Sequence, residues 1–156
     1  MMKTEEGILD GGLFNFLVNM EIARAIRYQN YTTLLFIEPD QQVEDRTKFD
    51  AFTRILKEEV RTTDVVGVVN ENRCGVILHN TDLKNALVPC KRIRDRMKNY
   101  NFTPDDGHIT ISIGVSCCPT DSNDFTSLTS MAITMLSLAK KQGGDRISYP
   151  NEKEVL

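Results

Sequence analysis

The chain has 156 residues, the size of one domain around one core. Its 40% apolar and 26% charged residues are ordinary for a soluble globular protein, and a formal charge of −3 with no basic block argues against non-specific nucleic-acid binding, which depends on neutralising phosphates. No apolar run approaches the roughly 20 residues of a membrane helix, and the acidic start MMKTEEGILDGG lacks the apolar stretch of a signal peptide, so a cytoplasmic location is expected.

In chain order, GGLFNFLVNMEIARAIRYQN places Phe14, Leu17, Val18, Ile22, Ala25 and Ile26 at spacings of three and four, which predicts an amphipathic helix. Asp10 is placed to cap it, although Gly11 and Gly12 weaken its first turn. TTLLFIE predicts a strand over 32–38, ended by Pro39. RTKFDAFTRILKEEVR repeats Phe49, Phe52, Leu56 and Val60, a second helix with Asp45 as its cap. VVGVV and CGVIL flank the polar NENR, the outline of a hairpin over roughly 65–69 and 74–79. TDLKNALVPCKRIRDRMKNY reads as a third helix, but Pro89 inside it implies a bend or a start near Pro89.

NFTPDDGH is a loop, and ITISIGVSCC an alternating strand. DFTSLTSMAITMLSLAKKQG carries Leu128, Met131, Ala132, Met135, Leu136 and Ala139 on one face, a core stripe rather than a ligand site. Gly143 and Gly144 stop that helix, DRISY is a short last strand, and NEKEVL is a tail. One domain is therefore expected over 1–156, with 1–9 a lead-in expected to leave no room for a sensor and 150–156 a C-terminal tail.

The order α-β-α-β-β-α-β-α-β contains a ferredoxin-like βαββαβ middle. It implies an α+β fold: a central, mostly antiparallel sheet with helices mainly on one face, an extra N-terminal helix and a C-terminal helix and strand. A receiver-type fold would alternate β and α strictly, and the tight hairpin argues against it. Cys74, Cys90, Cys117 and Cys118 form no CxxC pair, and His79 and His108 are isolated. Zinc and a nucleophile–base pair are not expected; reduced thiols, some of them core, are.

ITISIGVS followed about two dozen residues later by LAKKQGGDRI resembles a GGDEF domain, the catalytic domain of diguanylate cyclases. The resemblance covers nearly the whole chain through the order and spacing of its parts. EEGILDGGLF sits on the family's LTGLxNRRxF, with Gly7 and Ile8 matching; LLFIEPD sits on its LLLxDID strand, RTTD on RxxD, KRIR on xRIR and Ala139-Lys140 on its AK. NENRC falls on the GGDEF turn itself.

Such a family implies GTP chemistry with Mg²⁺ held by hard oxygen ligands. The resemblance places Glu38 at the strand carboxylate and neutral Asn72 at the turn carboxylate. Asn70 and Glu71 stand at the two glycines, where side chains fill space the backbone needs for nucleotide approach; Arg73 replaces an acid and Cys74 a Phe. QQVEDRTKFD lacks the family's FKxIND, GH and GD groups, and the stretch from Glu38 to Asp64 is short, so the guanine-binding segment is expected to be deleted. Lys140 sits at a phosphate-contacting lysine, or simply serves a helix C-terminus. A degenerate active site, no cofactor and no enzyme activity are the expectation; a class III nucleotide cyclase would likewise need two sheet aspartates that the turn does not supply.

The resemblance also implies an inhibitory product site, RxxD five residues before the turn plus an Arg on the next helix: Arg61, Asp64 and Arg92. Arginine can fork to a guanine edge and a carboxylate can accept from one, and two arginines neutralise a dianion such as cyclic di-GMP. Each residue also has a plain reading, as a helix-end cation, a loop acid and a solvated face. The expected role is a catalytically inactive signalling module binding cyclic di-GMP. The alternative is a protein-interaction or homodimerisation scaffold without nucleotide, docking through Pro39–Asp50 and NENR.

Overall fold

The computed structural model describes residues 7–100, 102 and 108–150. Its elements are β1 (Ile8–Leu9), α1 (Gly11–Tyr28), β2 (Thr32–Pro39), α2 (Arg46–Glu59), β3 (Val65–Asn70), β4 (Arg73–His79), α3 (Leu83–Asn99), β5 (Ile111–Cys118), α4 (Phe125–Lys141) and β6 (Arg146–Ser148). The loop expected at NFTPDDGH falls largely outside the described residues, as does the NEKEVL tail.

All four helices start on an aspartate. The carboxylates of Asp10, Asp45, Asp82 and Asp124 accept from the backbone N–H of Leu13, Thr47, Asn85 and Ser127, satisfying donors that the first turn leaves open. With Asp82 as its cap, α3 begins at Leu83 rather than near Pro89 and runs through the proline. The bond lost is the one to the carbonyl of Asn85, and Asn85 is exposed, so water can take its place.

The six strands form one sheet in the order β1-β3-β4-β2-β5-β6. The four inner strands pair antiparallel in the ferredoxin-like order, and the edge pairs β1·β3 and β5·β6 are parallel. β1 is absent from the sequence expectation, where its residues belong to the lead-in: two residues carry no readable period. The helices also depart from the expected single face. Phe52, Ile55, Ile93 and Met97 of α2 and α3 pack on Leu35 and Ile37, while Phe14, Val18, Leu128 and Leu136 of α1 and α4 pack on Leu34 and Phe36. TTLLFIEP is an almost unbroken apolar run because it is covered on both sides.

α4 lies directly on β5, because a Cβ at Gly114 would collide with the α4 backbone at Ala132 and Leu136. Its buried residues are Leu128, Ala132, Leu136 and Ala139; Met131 and Met135 of the expected stripe stay half-buried. All four cysteines are free and buried, and burial pushes the thiols of Cys90 and Cys118 up to about 12 and about 11. They behave as small core hydrophobes.

Candidate functional site

The β3–β4 turn opens on a cleft of about 890 Å³, whose lining includes Asp40, Glu44, Arg46, Glu71, Asn72 and Lys140. The five residues of NENRC divide their work. Asn70 makes the turn, its Oδ1 accepting from the N–H of Asn72 at 3.0 Å. Glu71 and Asn72 face the cleft. Cys74 is completely buried in the core beneath β4. Arg73 turns to β2, where its Nε donates to Glu38 Oε2 at 2.8 Å, and its guanidinium lies 5.7 Å from the centre of the Phe36 ring.

Glu38 is thereby enclosed by cations. Its other oxygen is 3.3 Å from Lys140 Nζ, and the same ammonium donates to the carbonyl of Pro39 at 3.1 Å. Lys140 thus reaches across from α4 into the cleft and does more than serve its own helix end. Both oxygens of the carboxylate placed at the metal position are spent on side-chain cations, and among the lining residues three carboxylates outnumber two cations. Glu38 is therefore not free to ligate Mg²⁺, and the lining carries no excess positive charge for a triphosphate. Among the described residues no group of three or more His, Cys, Asp or Glu side chains is placed to hold a metal.

Asp40, two residues beyond Glu38, escaped the sequence reading. Its carboxylate accepts from Thr110 Oγ1 at 2.6 Å, Ser112 Oγ at 2.6 Å and the N–H of Asp145 at 2.8 Å, tying the end of β2 to β5 and to the turn before β6. The signal was in the resemblance: LLFIEPD on LLLxDID puts Asp40 on the motif's second Asp.

A second pocket, of about 420 Å³, lies on the α2–α3 side of the sheet and brings Arg61, Asp64 and Arg92 together. Its size suits a small-molecule site. Asp64 precedes β3 and is 3% exposed, and its carboxylate accepts from the N–H groups of Arg61 and His79, both at 2.9 Å. Arg61 stands above it with its side chain 60% exposed, pairing with Asp64 at 3.3 Å and donating to the His79 carbonyl at 2.5 Å and Thr81 Oγ1 at 2.7 Å. Thr81 and the amides of Asn80 and Asn85 add polar lining, and Val88 and Pro89 an apolar wall.

Arg92 comes from α3, and its Nε donates to Glu59 Oε1 at 2.6 Å while Nη2 donates to the Glu59 backbone carbonyl at 2.6 Å. The other Glu59 oxygen takes Arg96 Nη1 at 2.8 Å, and Arg96 also holds Glu58 at 2.6 Å. Burial works against the ionised form of Glu59, but the hydrogen bonds from Arg96 and Arg92 outweigh it and hold its carboxyl below the usual range. A depressed pKa stabilises the fold fully above the unfolded value near 4.5 and is lost as pH falls through the folded value. Urea midpoints measured in an acid series are therefore expected to fall more steeply below about pH 4.5 for the wild type than for Glu59→Gln, which lacks the titrating group.

A family profile described as "Diguanylate cyclase, GGDEF domain" matches residues 45–146, well over half of the chain, and the chain belongs to the GGDEF family. The uncharacterized protein YhcK of Bacillus subtilis is 29% identical over 102 residues, which is 64% of this chain and only 28% of that protein. The fold superposes on the active GGEEF domain of a diguanylate cyclase from Vibrio cholerae with a TM-score of 0.85 and 18% identity, covering 93% of this chain and 99% of that one. It also superposes on the GGDEF domain of DgcB from Caulobacter crescentus, solved in complex with c-di-GMP, with a TM-score of 0.75 and 15% identity over 97% of each chain. The α+β fold expected from the element order is the observed one. No helix among the described residues is long and apolar enough to cross a membrane.

Proposed function

We propose that this GGDEF domain is catalytically silent and acts in signalling by binding cyclic di-GMP at Arg61, Asp64 and Arg92. The observation that carries the reading is the convergence of these three side chains, from the α2–β3 connection and from α3, on one pocket. A dianionic dinucleotide matches two exposed guanidiniums, and its guanine edges match the amide, hydroxyl and carbonyl groups around them. Silence follows from the other cleft: Glu38 is neutralised by Arg73 and Lys140, Asn72 offers no carboxylate, and Glu71 puts a negative charge where phosphate would lie.

Both arginines engage Nε and Nη2 within the chain, so a ligand that forks onto either guanidinium competes with those bonds. The expected result of titration calorimetry is binding of one saturable class by the wild type and loss of the heat in Arg61→Ala. Incubation with GTP and Mg²⁺ or Mn²⁺ should yield no cyclic di-GMP. A folded wild type that evolves no heat ends the receptor reading and leaves a scaffold that meets partners through the remodelled Pro39–Asp50 face.

A further inference from the structure

The charges that line the second pocket cancel: Arg61 and Arg92 face Asp64 and Glu59. The two carboxylates are not equivalent. Asp64 is committed to backbone N–H groups on both sides of the hairpin and serves the fold. Glu59 is the last residue of α2, and its contacts to α3 are both to arginines. It cannot swing aside freely, because Arg96 grips one oxygen while Arg92 grips the other.

We infer that Glu59 sets the anion affinity of this pocket: it is a resident carboxylate that occupies the Nε and Nη2 face of Arg92 and competes with any phosphate-bearing ligand for it. The inference rests on the reading that an anionic nucleotide binds here, and it names the residue that regulates that binding. Arg92 is 52% exposed, so it is within reach of solvent and of a ligand, yet its Nε and Nη2 both point at Glu59. An entering phosphate meets a guanidinium already paired and a like charge beside it. Replacing Glu59 by Gln keeps an oxygen acceptor and the side-chain shape, removes the competing charge and leaves the pocket lining net positive.

Calorimetry with cyclic di-GMP on the wild type, Glu59→Gln, Arg92→Ala and the double variant tests this, with thermal melts to confirm folding and Glu59→Ala as a second probe of the same sign. The expected result is roughly five- to tenfold tighter binding by Glu59→Gln at low salt, the scale of a partly screened charge. That gain should shrink as ionic strength rises and should fall below about twofold in the Arg92→Ala background, where the competition has no object. Glu58 pairs with Arg96 and stands outside the pocket lining, so Glu58→Gln should leave the affinity unchanged. Binding by Glu59→Gln with none detectable in the wild type ends the receptor reading for the native chain but supports the inference, since the resident carboxylate then masks the site. Wild-type binding that is lost in Arg61→Ala but not improved in Glu59→Gln overturns the role of Glu59 while the receptor reading stands. No binding by either folded protein overturns both.

Discussion

Asp64→Ala is expected to lower the stability of the fold by about 3 kcal/mol, while Arg61→Ala costs about 1 kcal/mol or less. The difference follows from burial. The Asp64 carboxylate is 2% exposed and receives the N–H of Arg61, the N–H of His79 and the Arg61 guanidinium. Its removal strands two backbone donors, one at the entry of β3 and one at the end of β4, and an arginine that has lost its counter-ion. Arg61, with a side chain 60% exposed, leaves behind a carboxylate that keeps both backbone donors. For a chain of this size the aspartate variant should melt roughly 6–12 °C lower. Urea denaturation near pH 7 measures the difference directly. A loss below about 1 kcal/mol in Asp64→Ala would show that the carboxylate does not clamp the hairpin. The expected pattern divides RxxD by structural cost: its acid lines the pocket and also clamps the chain, and its base lines the pocket at little cost to the fold.

Much of this was legible locally. Asp10 and Asp45 precede apolar periods and cap the helices that those periods predict, and VVGVV and CGVIL bracket a polar turn that is a hairpin. The convergence of Arg61, Asp64 and Arg92 was legible through resemblance, because the fold carries the positions with it. What stayed hidden depends on partners distant in the chain. Arg73 reads as a lost acid in the turn, yet its partner Glu38 is 35 residues away, so their pairing needed the sheet register that sets Ile37 opposite Cys74. Glu59 and Arg92 are 33 residues apart and meet only because α2 and α3 pack side by side on one face. The even split of helices over two faces was unreadable because β2 is apolar at both parities, which period-two reasoning cannot resolve.

Phe14→Ala should be among the most destabilising single changes in the chain, costing about 3–5 kcal/mol, the range for emptying a buried aromatic site. Phe14 is completely buried, and its ring lies over the cross-strand pair Gly67 and Gly75 at the middle of the hairpin. These glycines are the G of VVGVV and of CGVIL. A Cβ at Gly67 would come within 2.7 Å of the Phe14 ring, and one at Gly75 would strike its far edge. The aromatic and the two glycines are therefore one packing unit, large on the helix and absent on the strands. Truncating the ring leaves a void that neither glycine can fill, on the face where α1 holds the hairpin. Gly75→Ala alone should destabilise by overpacking, about 1–3 kcal/mol. Combined with Phe14→Leu it should cost clearly less than the two changes summed, because the smaller side chain makes room for the added methyl. Denaturant unfolding of the four proteins in that cycle measures the coupling, and strict additivity would mean that the ring and the glycines do not share the space assigned to them. The hairpin that carries NENRC and follows RTTD is thus held from both sides, by Phe14 on one face and by Asp64 at its base, and this keeps its geometry independent of whether the turn retains any chemistry.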